Sequence, residues 1–449
     1  MKIIALATLC MVLLPGGALS AQYDAAIFSS ISTTNAHATY VTLVNTASRT
    51  LTTIWKAPGI AAGSSQRNRG GMFGPDGLIY VSLIDYNGLG ALDPVTGAWP
   101  RFVGDFRNDV MGFPYQPALN FDNVGGIGFC LIDGNQPPSP PAPAASKNTV
   151  LVDFATNRYT LDGWFPNTEV DMSDFYPNLF NPGEFVGVCY YANDHTVSGY
   201  PLAQNPPEAL SLTTLATVSS LHRVYYDSCW AEDGNLYLWA GSDSGIFQVD
   251  IRTGASTLLP VTGLASGMTY GCMWNEPWEK SGMIAYVLPR TDQVVYSIDL
   301  AARPLKAVAT GLVIPATQGT RVNTGREAEE SQLTSWWTGA GPGQRTFHLN
   351  FGQGHAGEIA ILLPSATGLA ANPLVLNGLE VYLAIDSISL SGLTNVLPYT
   401  PMVTLDTSGQ FDVIWKGTGA RLGVSAFWQA VTMKGSTFTD ASNIISVNL

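Results

Sequence analysis

Residues 228–260, SCWAEDGNLYLWAGSDSGIFQVDIRTGASTLLP, decide the fold of this chain. Short apolar and alternating runs in this stretch predict four antiparallel strands, at 228–231, 235–239, 246–251 and 256–260. Turn residues separate the runs, and the pair Asp233-Gly234 is typical of a type I′ hairpin turn. Four short strands cannot bury both faces of their sheet alone, so the fold requires further copies of this unit.

The same unit recurs along the chain with a period of about fifty residues. The turn between its third and fourth strands marks each copy, and the six turns end at Ser48, Gly97, Asn157, Glu208, Gly254 and Arg303. Residues 71–103 form the best second copy, because they repeat both the Asp-Gly turn and the Asp-x-x-Thr-Gly turn. One longer step contains the Pro- and Ala-rich residues 134–146, which predict an inserted loop. Six such units predict a six-bladed β-propeller.

The first unit is one strand short, since residues 25–32, 39–44 and 51–56 predict only three strands. A closed ring of blades leaves no open sheet edge. We therefore expect residues 313–322, which follow the sixth unit, to return and supply the missing inner strand. The propeller is expected to span residues 21–326.

Beyond the propeller, the composition changes. Residues 327–343 are acidic and then Gly-rich, which predicts a linker. Residues 344–449 lack the blade period and predict short alternating strands at 347–351, 358–363, 379–385, 409–416, 424–432 and 443–449. This pattern predicts an independently folding β-sandwich, so the expected fold class is all-β, a six-bladed propeller followed by a C-terminal β-sandwich.

The N-terminal residues 1–20 predict a secretory signal peptide. Lys2 precedes an apolar run over 3–14, and small residues precede a cleavage site near Ser20. No other apolar run in the sequence reaches the length of a membrane span, so we expect an exported protein that is extracellular, periplasmic or at the cell surface. The net charge of −13 makes nucleic acid an unfavourable partner.

Four cysteines remain after the signal peptide, and all lie in the expected propeller: Cys130, Cys189, Cys229 and Cys272. Two states stay open for them. Export permits disulfide bonds, while the narrow spaces between blades favour buried free thiols. If bridges form, Cys130–Cys189 and Cys229–Cys272 are the expected pairs, because the members of each pair share one register in neighbouring units.

Three carboxylates form the sharpest candidate site. Asp122, Asp174 and Asp227 lie about one blade period apart, so they are expected at one height on successive inner strands. Converging carboxylates suit a hard cation such as Ca²⁺. The alternative is that these side chains accept hydrogen bonds from backbone amides. Arg69 and Arg321 are expected near the same layer and could neutralise the carboxylates.

Aromatic residues of the fifth and sixth units are the second candidate. Tyr226, Tyr270, Trp274 and Trp278 are expected to bind ligand together with the two arginines, and the tryptophans are expected to be exposed beside an inter-strand loop. Exposed Trp and Tyr rings stack on sugars, so a polysaccharide or a cell-surface protein is the expected partner. The alternative is that these rings pack between blades.

Two resemblances follow from these motifs. The pattern DG-NLYL…GIFQVD-x-x-TG of residues 233–254, repeated in 76–97, resembles the blades of secreted NHL, YncE-type and gluconolactonase-like propellers. For the gluconolactonase-like proteins, the resemblance implies an axial divalent metal held by acidic and amide side chains. Residues 405–411, 426–430 and 441–443 resemble a β-sandwich module that ends many secreted planctomycete proteins, which implies export and no particular chemistry.

Common catalytic signatures are absent from the sequence: it contains no G-x-S-x-G, H-E-x-x-H, P-loop or C-x-x-C motif. The sequence therefore favours an exported, non-catalytic binding or scaffold protein, with the propeller as ligand platform and the sandwich as spacer or attachment module. Two alternatives stay open. One is a Ca²⁺-dependent lactonase or hydrolase of the gluconolactonase-like kind, and the other is a structural component of the cell envelope.

Overall fold

The computed structural model shows a chain built of short β-strands. It describes residues 23, 25–33, 36–46, 48–56, 71–74, 78–83, 88–103, 118–124, 127–133, 147–153, 158–165, 171–181, 184–191, 194–201, 208–209, 212–218, 225–231, 233–240, 245–264, 271–275, 283–289, 293–315, 321–327, 332–337, 344–351, 353–367, 369–376, 379–384, 402–407, 409–416, 425–442 and 444–448. For part of the strand residues only the backbone is described. Within these ranges, no helix has the length and hydropathy needed to cross a membrane.

The strands of the first part of the chain are short and follow each other closely. They are β1 (Ala25–Thr33), β2 (Ala36–Asn45), β3 (Thr50–Lys56), β4 (Gly71–Phe73), β5 (Ile79–Leu83), β6 (Gly88–Leu92), β7 (Arg101–Val103), β8 (Ala118–Val124), β9 (Ile127–Asp133), β10 (Lys147–Asp153), β11 (Arg158–Phe165), β12 (Asp171–Pro177), β13 (Glu184–Tyr191), β14 (Asp194–Pro201), β15 (Glu208–Ala209), β16 (Thr213–Val218), β17 (Tyr225–Trp230), β18 (Leu236–Ala240), β19 (Gly245–Asp250), β20 (Ala255–Thr262), β21 (Gly271–Asn275), β22 (Ile284–Pro289), β23 (Val294–Asp299), β24 (Leu305–Val313) and β25 (Arg321–Glu327).

These strands form six blades, each with four antiparallel strands. In order from the inner to the outer strand, blade A is β25-β1-β2-β3, blade B is β4-β5-β6-β7, blade C is β8-β9-β10-β11, blade D is β12-β13-β14-β16, blade E is β17-β18-β19-β20 and blade F is β21-β22-β23-β24. At the rim, β20 also pairs in parallel with β24, and β15 pairs in parallel with β11. The inner strands contact one another in the order β25, β4, β8, β12, β17, β21, and β21 contacts β25 again. This closed ring confirms the predicted six-bladed propeller.

The ring closes where the chain returns to its first blade. Strand β25 pairs with β1 from Ala25 opposite Glu327 to Ser30 opposite Arg321. A returning strand was expected, but its expected position over 313–322 is wrong except at Arg321 and Val322. The reason is that β24 continues to Val313 at the rim, so the following residues must first connect the rim to the axis.

The repeated Asp-x-x-Thr-Gly sequence has a local cause in its turn. The Asp93 carboxylate accepts the amide of Val95 at 2.8 Å, and the amide of Gly97 donates to the Asp93 carbonyl at 2.9 Å. Gly97 has a φ of 67°, which a residue without a side chain adopts at low cost. Asp250 and Gly254 repeat the arrangement in blade E, where Gly254 has a φ of 74°. The turn signature therefore marks backbone geometry.

The first turn of blade E differs from its prediction. Gly234 has a φ of 76° and donates its amide to the Ala231 carbonyl at 3.0 Å, but Asp233 does not share the positive φ that a type I′ turn requires at both central residues. The turn therefore starts earlier, with the glycine as its last residue. An Asp-Gly pair serves either geometry, so the pair alone does not distinguish them.

Blades A, E and F each bury both faces of their sheet against the two neighbouring blades. On β1, Ala26 and Phe28 pack towards blade B, while Ala25 and Ile27 pack towards blade F. A separate apolar cluster fills the space between blades E and F, with Trp239 on one side and Met273 on the other. The alternation of strand residues thus distributes one apolar set to each neighbour.

The C-terminal part contains two facing sheets and a separate hairpin. Its strands are β26 (Gln332–Trp337), β27 (Gln344–Asn350), β28 (Ile359–Ser365), β29 (Leu369–Leu376), β30 (Leu379–Leu383), β31 (Met402–Thr404), β32 (Gln410–Lys416), β33 (Ser425–Lys434), β34 (Thr437–Ala441) and β35 (Ile445–Asn448). One sheet is β26-β27-β32, the other is β31-β28-β33-β34 with β35 on β33, and β29-β30 forms the hairpin. Phe347 and Val413 of the first sheet meet Leu362 and Trp428 of the second in one core, so this part is a β-sandwich.

The linker expected over 327–343 is partly wrong. Strand β26 lies inside it and pairs with β27 along its whole length, from Gln332 opposite Asn350 to Trp337 opposite Arg345. The Glu- and Gly-rich composition on either side of this short strand made the whole region resemble a connection. The β26 strand itself is part of the sandwich.

The sheet β31-β28-β33-β34, with β35 on β33, is called the central sheet of the sandwich, and it is buried on both of its faces. On β28, Ala360 and Leu362 face the sandwich core, whereas Ile361 and Leu363 belong to a second cluster that includes residues of blades D and E. Strand β33 divides its residues in the same way, with Trp428 on the first face and Phe427 on the second.

Candidate functional site

The three predicted carboxylates lie on inner strands of successive blades. Asp122 is on β8 of blade C, Asp174 on β12 of blade D and Asp227 on β17 of blade E. The strand pairing is irregular beside two of them, since the register shifts between Ser173 and Phe175 and between Tyr225 and Ser228. For Asp122 and Asp174 only the backbone is described, so carboxylate contacts are described only for Asp227.

The carboxylate of Asp227 is fully buried, with 0% exposure, and it binds backbone amides. One oxygen accepts the amide of Ser228 at 3.2 Å. The other accepts the amide of Met273, on the inner strand of blade F, at 3.0 Å. Hydrogen bonds from backbone amides stabilise a buried carboxylate, so Asp227 ties the inner strands of blades E and F together.

Two further side chains connect inner strands of neighbouring blades. The Tyr176 hydroxyl of blade D donates to the Ser228 carbonyl of blade E at 2.9 Å. The side-chain amide of Asn275 in blade F donates to the Trp230 carbonyl at 3.0 Å. Together with Asp227, these bonds link blades D, E and F near the axis.

The described contacts of Asp227 are those of a carboxylate that binds backbone, since both of its oxygens accept amide donors. Across the ranges that the structure describes, no group of three or more His, Cys, Asp or Glu side chains is arranged to hold a metal ion. For Asp227, the geometry therefore matches the alternative in which the carboxylate binds backbone.

The prediction that Trp274 is exposed is wrong. Trp274 lies on β21 with 1% exposure, and its ring stacks on Tyr286 at a centroid distance of 5.7 Å and an interplanar angle of 22°. It belongs to the apolar cluster between blades F and A. The strand continues through Trp274 to Asn275, so the loop begins later than its composition suggested, and Trp274 packs between blades.

The other predicted ligand-binding residues are placed only in part. Tyr226 lies on β17 and Arg321 on β25, both with the backbone alone described. Arg69, Tyr270 and Trp278 lie outside the described residues.

A polar network between blades E and F was not found from the sequence. The Tyr237 hydroxyl donates to Asp233 at 2.8 Å and accepts from the side chain of Gln248 at 3.0 Å. Arg303 of blade F donates to Gln248 at 3.3 Å. Burial raises the pKa of Tyr237 above its usual range, and the neighbouring Asp233 carboxylate raises it further. The only sequence signal was Asp233, which was interpreted as a turn residue.

A second network lies in the sandwich around Glu358, which is buried. Its carboxylate accepts the Thr439 hydroxyl at 2.6 Å and contacts His355 Nδ1 at 2.9 Å. Burial acts to raise the pKa of Glu358, but the bonds from Thr439 and His355 outweigh it and hold that pKa below its usual range. His355 Nε2 lies 3.4 Å from Asp440, so both ring nitrogens face carboxylates and the network joins β28 to β34.

Of the two states left open for Cys229 and Cys272, the structure shows the one without a disulfide bond, and both side chains are buried thiols. Cys229 packs between blades E and F, whereas Cys272 packs between blades F and A. Equivalent positions on successive inner strands place each thiol in its own interface, so a shared register separates the two sulfurs. For Cys130 and Cys189, the side chains lie outside the described structure.

Comparisons with known proteins give a general likeness of shape. No protein-family model matches the chain, and no curated protein matches it. Among solved structures, a protein of unknown function from Bacteroides caccae has 10% identity and a TM-score of 0.44, over 68% of this chain and 98% of that chain. A calcium-binding regucalcin from Agrobacterium tumefaciens has 14% identity and a TM-score of 0.34, over 62% and 81% of the two chains. A catalytically inactive virginiamycin B lyase from Staphylococcus aureus, solved with quinupristin, has 8% identity and a TM-score of 0.38, over 73% and 93%. The propeller assignment therefore rests on the strand order of this chain.

Proposed function

We propose that this chain is an exported, non-catalytic binding or scaffold protein, with the propeller as the ligand platform and the sandwich as its attachment module. The observation that carries this proposal is the buried carboxylate of Asp227. Each of its two oxygens accepts a backbone amide, and one of these amides belongs to the next blade. We infer that Asp227, one of the three predicted carboxylates, stabilises the ring.

The proposed platform is the end of the ring at which the inner strands begin. Tyr226 and Arg321 lie at the start of β17 and β25, and Tyr270 directly precedes β21. The sandwich contacts the propeller beyond the opposite ends of the inner strands, at Leu179 after β12 and at Gly234 after β17. We therefore assign Tyr226, Tyr270 and Arg321 to the proposed platform, and we propose a polysaccharide or a cell-surface protein as its ligand.

A second candidate function is a Ca²⁺-dependent lactonase or hydrolase. The observation that favours it is that Asp122, Asp174 and Asp227 all lie on inner strands of consecutive blades. Carboxylates brought to one axis are the ligands that Ca²⁺ prefers.

Asp227→Asn separates the two candidates, measured by thermal unfolding of the full chain in Ca²⁺ and in chelator. An amide in place of the carboxylate loses at least one of the two backbone bonds, which costs about 1–3 kcal/mol. The structural role predicts the same fall in melting temperature under both conditions. Lys306→Gln, which removes one charge at an exposed position on β24, is the control and is expected to leave the melting temperature unchanged.

A cation site predicts a different result. If the Asp227→Asn variant loses stability in Ca²⁺ but not in chelator, the bound ion is the source of the stabilisation. Ca²⁺ retained in stoichiometric amount after dialysis, together with Ca²⁺-dependent hydrolysis of a sugar lactone, would overturn the non-catalytic proposal.

A further inference from the structure

The β29–β30 hairpin connects the sandwich to the propeller through a close backbone contact. The amide of Leu369, the first residue of β29, donates to the carbonyl of Leu179 in blade D at 3.2 Å. Gly234 of blade E lies in the same contact. A Cβ atom on this glycine would be 3.0 Å from the Phe180 ring and 3.1 Å from the Leu369 side chain. These residues are therefore packed without space for another carbon atom.

Apolar packing continues from this contact into both parts of the molecule. A single cluster of buried side chains includes Trp230 and Leu236 of blade E, Val381 and Leu383 of the hairpin, and Phe427 of the central sandwich sheet. The hairpin lies among residues of both parts, so its apolar side chains serve two cores at once.

Buried polar bonds fix the hairpin to the sandwich. Gln429 on β33 is buried, and its side-chain oxygen accepts the amide of Leu383 at 3.0 Å. Its side-chain nitrogen donates to the Ser442 carbonyl at 2.8 Å. Leaving a buried amide unpaired costs about 1–3 kcal/mol, so separating the hairpin from the central sheet is unfavourable.

We propose that the β29–β30 hairpin is a docking element that makes the propeller and the sandwich one cooperative folding unit. Separation of the two parts would expose Trp230, Leu369 and the second face of the central sheet to water. This inference replaces the expectation that residues 344–449 fold independently. It also makes the sandwich a rigid handle, which holds a fixed orientation relative to the blades.

Differential scanning calorimetry of the full chain tests this proposal. The wild type is expected to show one transition, with equal calorimetric and van't Hoff enthalpies. Leu369→Asp introduces a charge into the contact with Phe180 and Gly234, and it is expected to split the transition into two. The matched control is Leu374→Asp on the same strand, where the side chain is 43% exposed, and it is expected to keep the single transition.

Two well-separated transitions in the wild type would overturn the proposal, and so would an unchanged single transition in Leu369→Asp. If Leu369→Asp fails to fold, hydrogen exchange of the wild-type Leu369 amide decides the question. Protection equal to that of the buried strands β18 and β33 supports one cooperative unit, because the bond to Leu179 then opens only in global unfolding. Exchange much faster than in those strands would overturn the proposal.

Discussion

The propeller and the sandwich bury their sheets in different ways. Blade A is covered on both faces by other blades, since Phe28 of β1 faces blade B and Ile27 faces blade F. The central sandwich sheet is also covered on both faces, but by unlike partners, since Leu362 meets the other sandwich sheet and Leu363 meets the hairpin and blades D and E.

This difference decides what can be inferred from each region. When a sheet packs against further copies of itself, the sequence repeats with a fixed period, so the partner of one blade can be recognised as the next repeat. When a sheet packs against a different structure, the sequence shows no period. The buried face is then indicated only by a strand with apolar residues at successive positions. In β28, the residues from Ile359 to Leu363 are all apolar, which is typical of a strand buried on both faces.

The largest expected effect comes from removing one buried ring in each region. Trp239, between blades E and F, has 1% exposure, and Trp428, in the sandwich core, has 2%. Trp239→Ala and Trp428→Ala are each expected to lower the free energy of unfolding by about 3–5 kcal/mol. If the two regions form one unit, both variants lower the same calorimetric transition. The partly exposed Phe411→Ala serves as control, and effects confined to two separate transitions would show independent regions.

A smaller effect is expected where blades A and B are in close contact. A Cβ atom on Gly71, the first residue of β4, would overlap the Phe28 ring of blade A. Gly71→Ala is therefore expected to cost about 1–3 kcal/mol, because the ring or the backbone must move. Gly354→Ala in the sandwich is the matched control, since the described structure places no atom within 4 Å of its Cβ position. Equal urea midpoints for both variants would contradict this packing.

The smallest effect concerns acid sensitivity, which both regions share. Glu358 and Asp93 each have a pKa held below the usual range, Glu358 by Thr439 and His355 and Asp93 by Thr96 and Val95, in both cases against the opposing effect of burial. A folded-state pKa below the unfolded value stabilises the protein above that unfolded value, which is about 4 for these groups. This stability is lost as the pH falls through the folded-state pKa.

Glu358→Gln and Asp93→Asn are accordingly expected to lower the melting temperature at pH 7, and for Glu358 the free energy of unfolding falls by an amount on the order of 1 kcal/mol. The difference from the wild type should shrink when melts are repeated towards pH 3, because the wild-type carboxyl groups lose this stabilisation as the pH falls through their folded-state pKa. A difference that stays constant between pH 7 and pH 3 would show that the two carboxylates contribute no charge-dependent stability.

Local chemistry made most of the propeller predictable. The turns at Asp93 and Asp250 use a carboxylate and a glycine at fixed spacing, so the third and fourth strands of blades B and E are recognisable in the sequence. The position of β25 was harder to predict from the sequence. This strand is defined by its pairing with Ala25 and the residues that follow it, and no turn motif beside it indicates where it begins. The β26 strand was hidden in the same way by its flanking composition.

The candidate site was predictable in position but less so in chemistry. Spacing correctly placed Asp122, Asp174 and Asp227 on inner strands. The bond from the Met273 amide to Asp227 depends on the approach of another blade, which no local pattern encodes. The position of Trp274 was mispredicted for a similar reason. The strand β21 continues through Trp274, which places its ring in the interface with blade A and not in solvent.

The pairing of β1 with β25 has a consequence for the order of events during biosynthesis. It joins residues roughly 300 positions apart. The entropic cost of closing a loop grows only slowly with its length. The contact cannot form, however, until the later residues have been synthesised. Until then β1 keeps an open edge, which is a template for pairing with another chain. The newly made first blade is therefore open to wrong pairing until β25 has been made, and a chaperone that shields the edge of β1 is expected to increase the yield of closed rings.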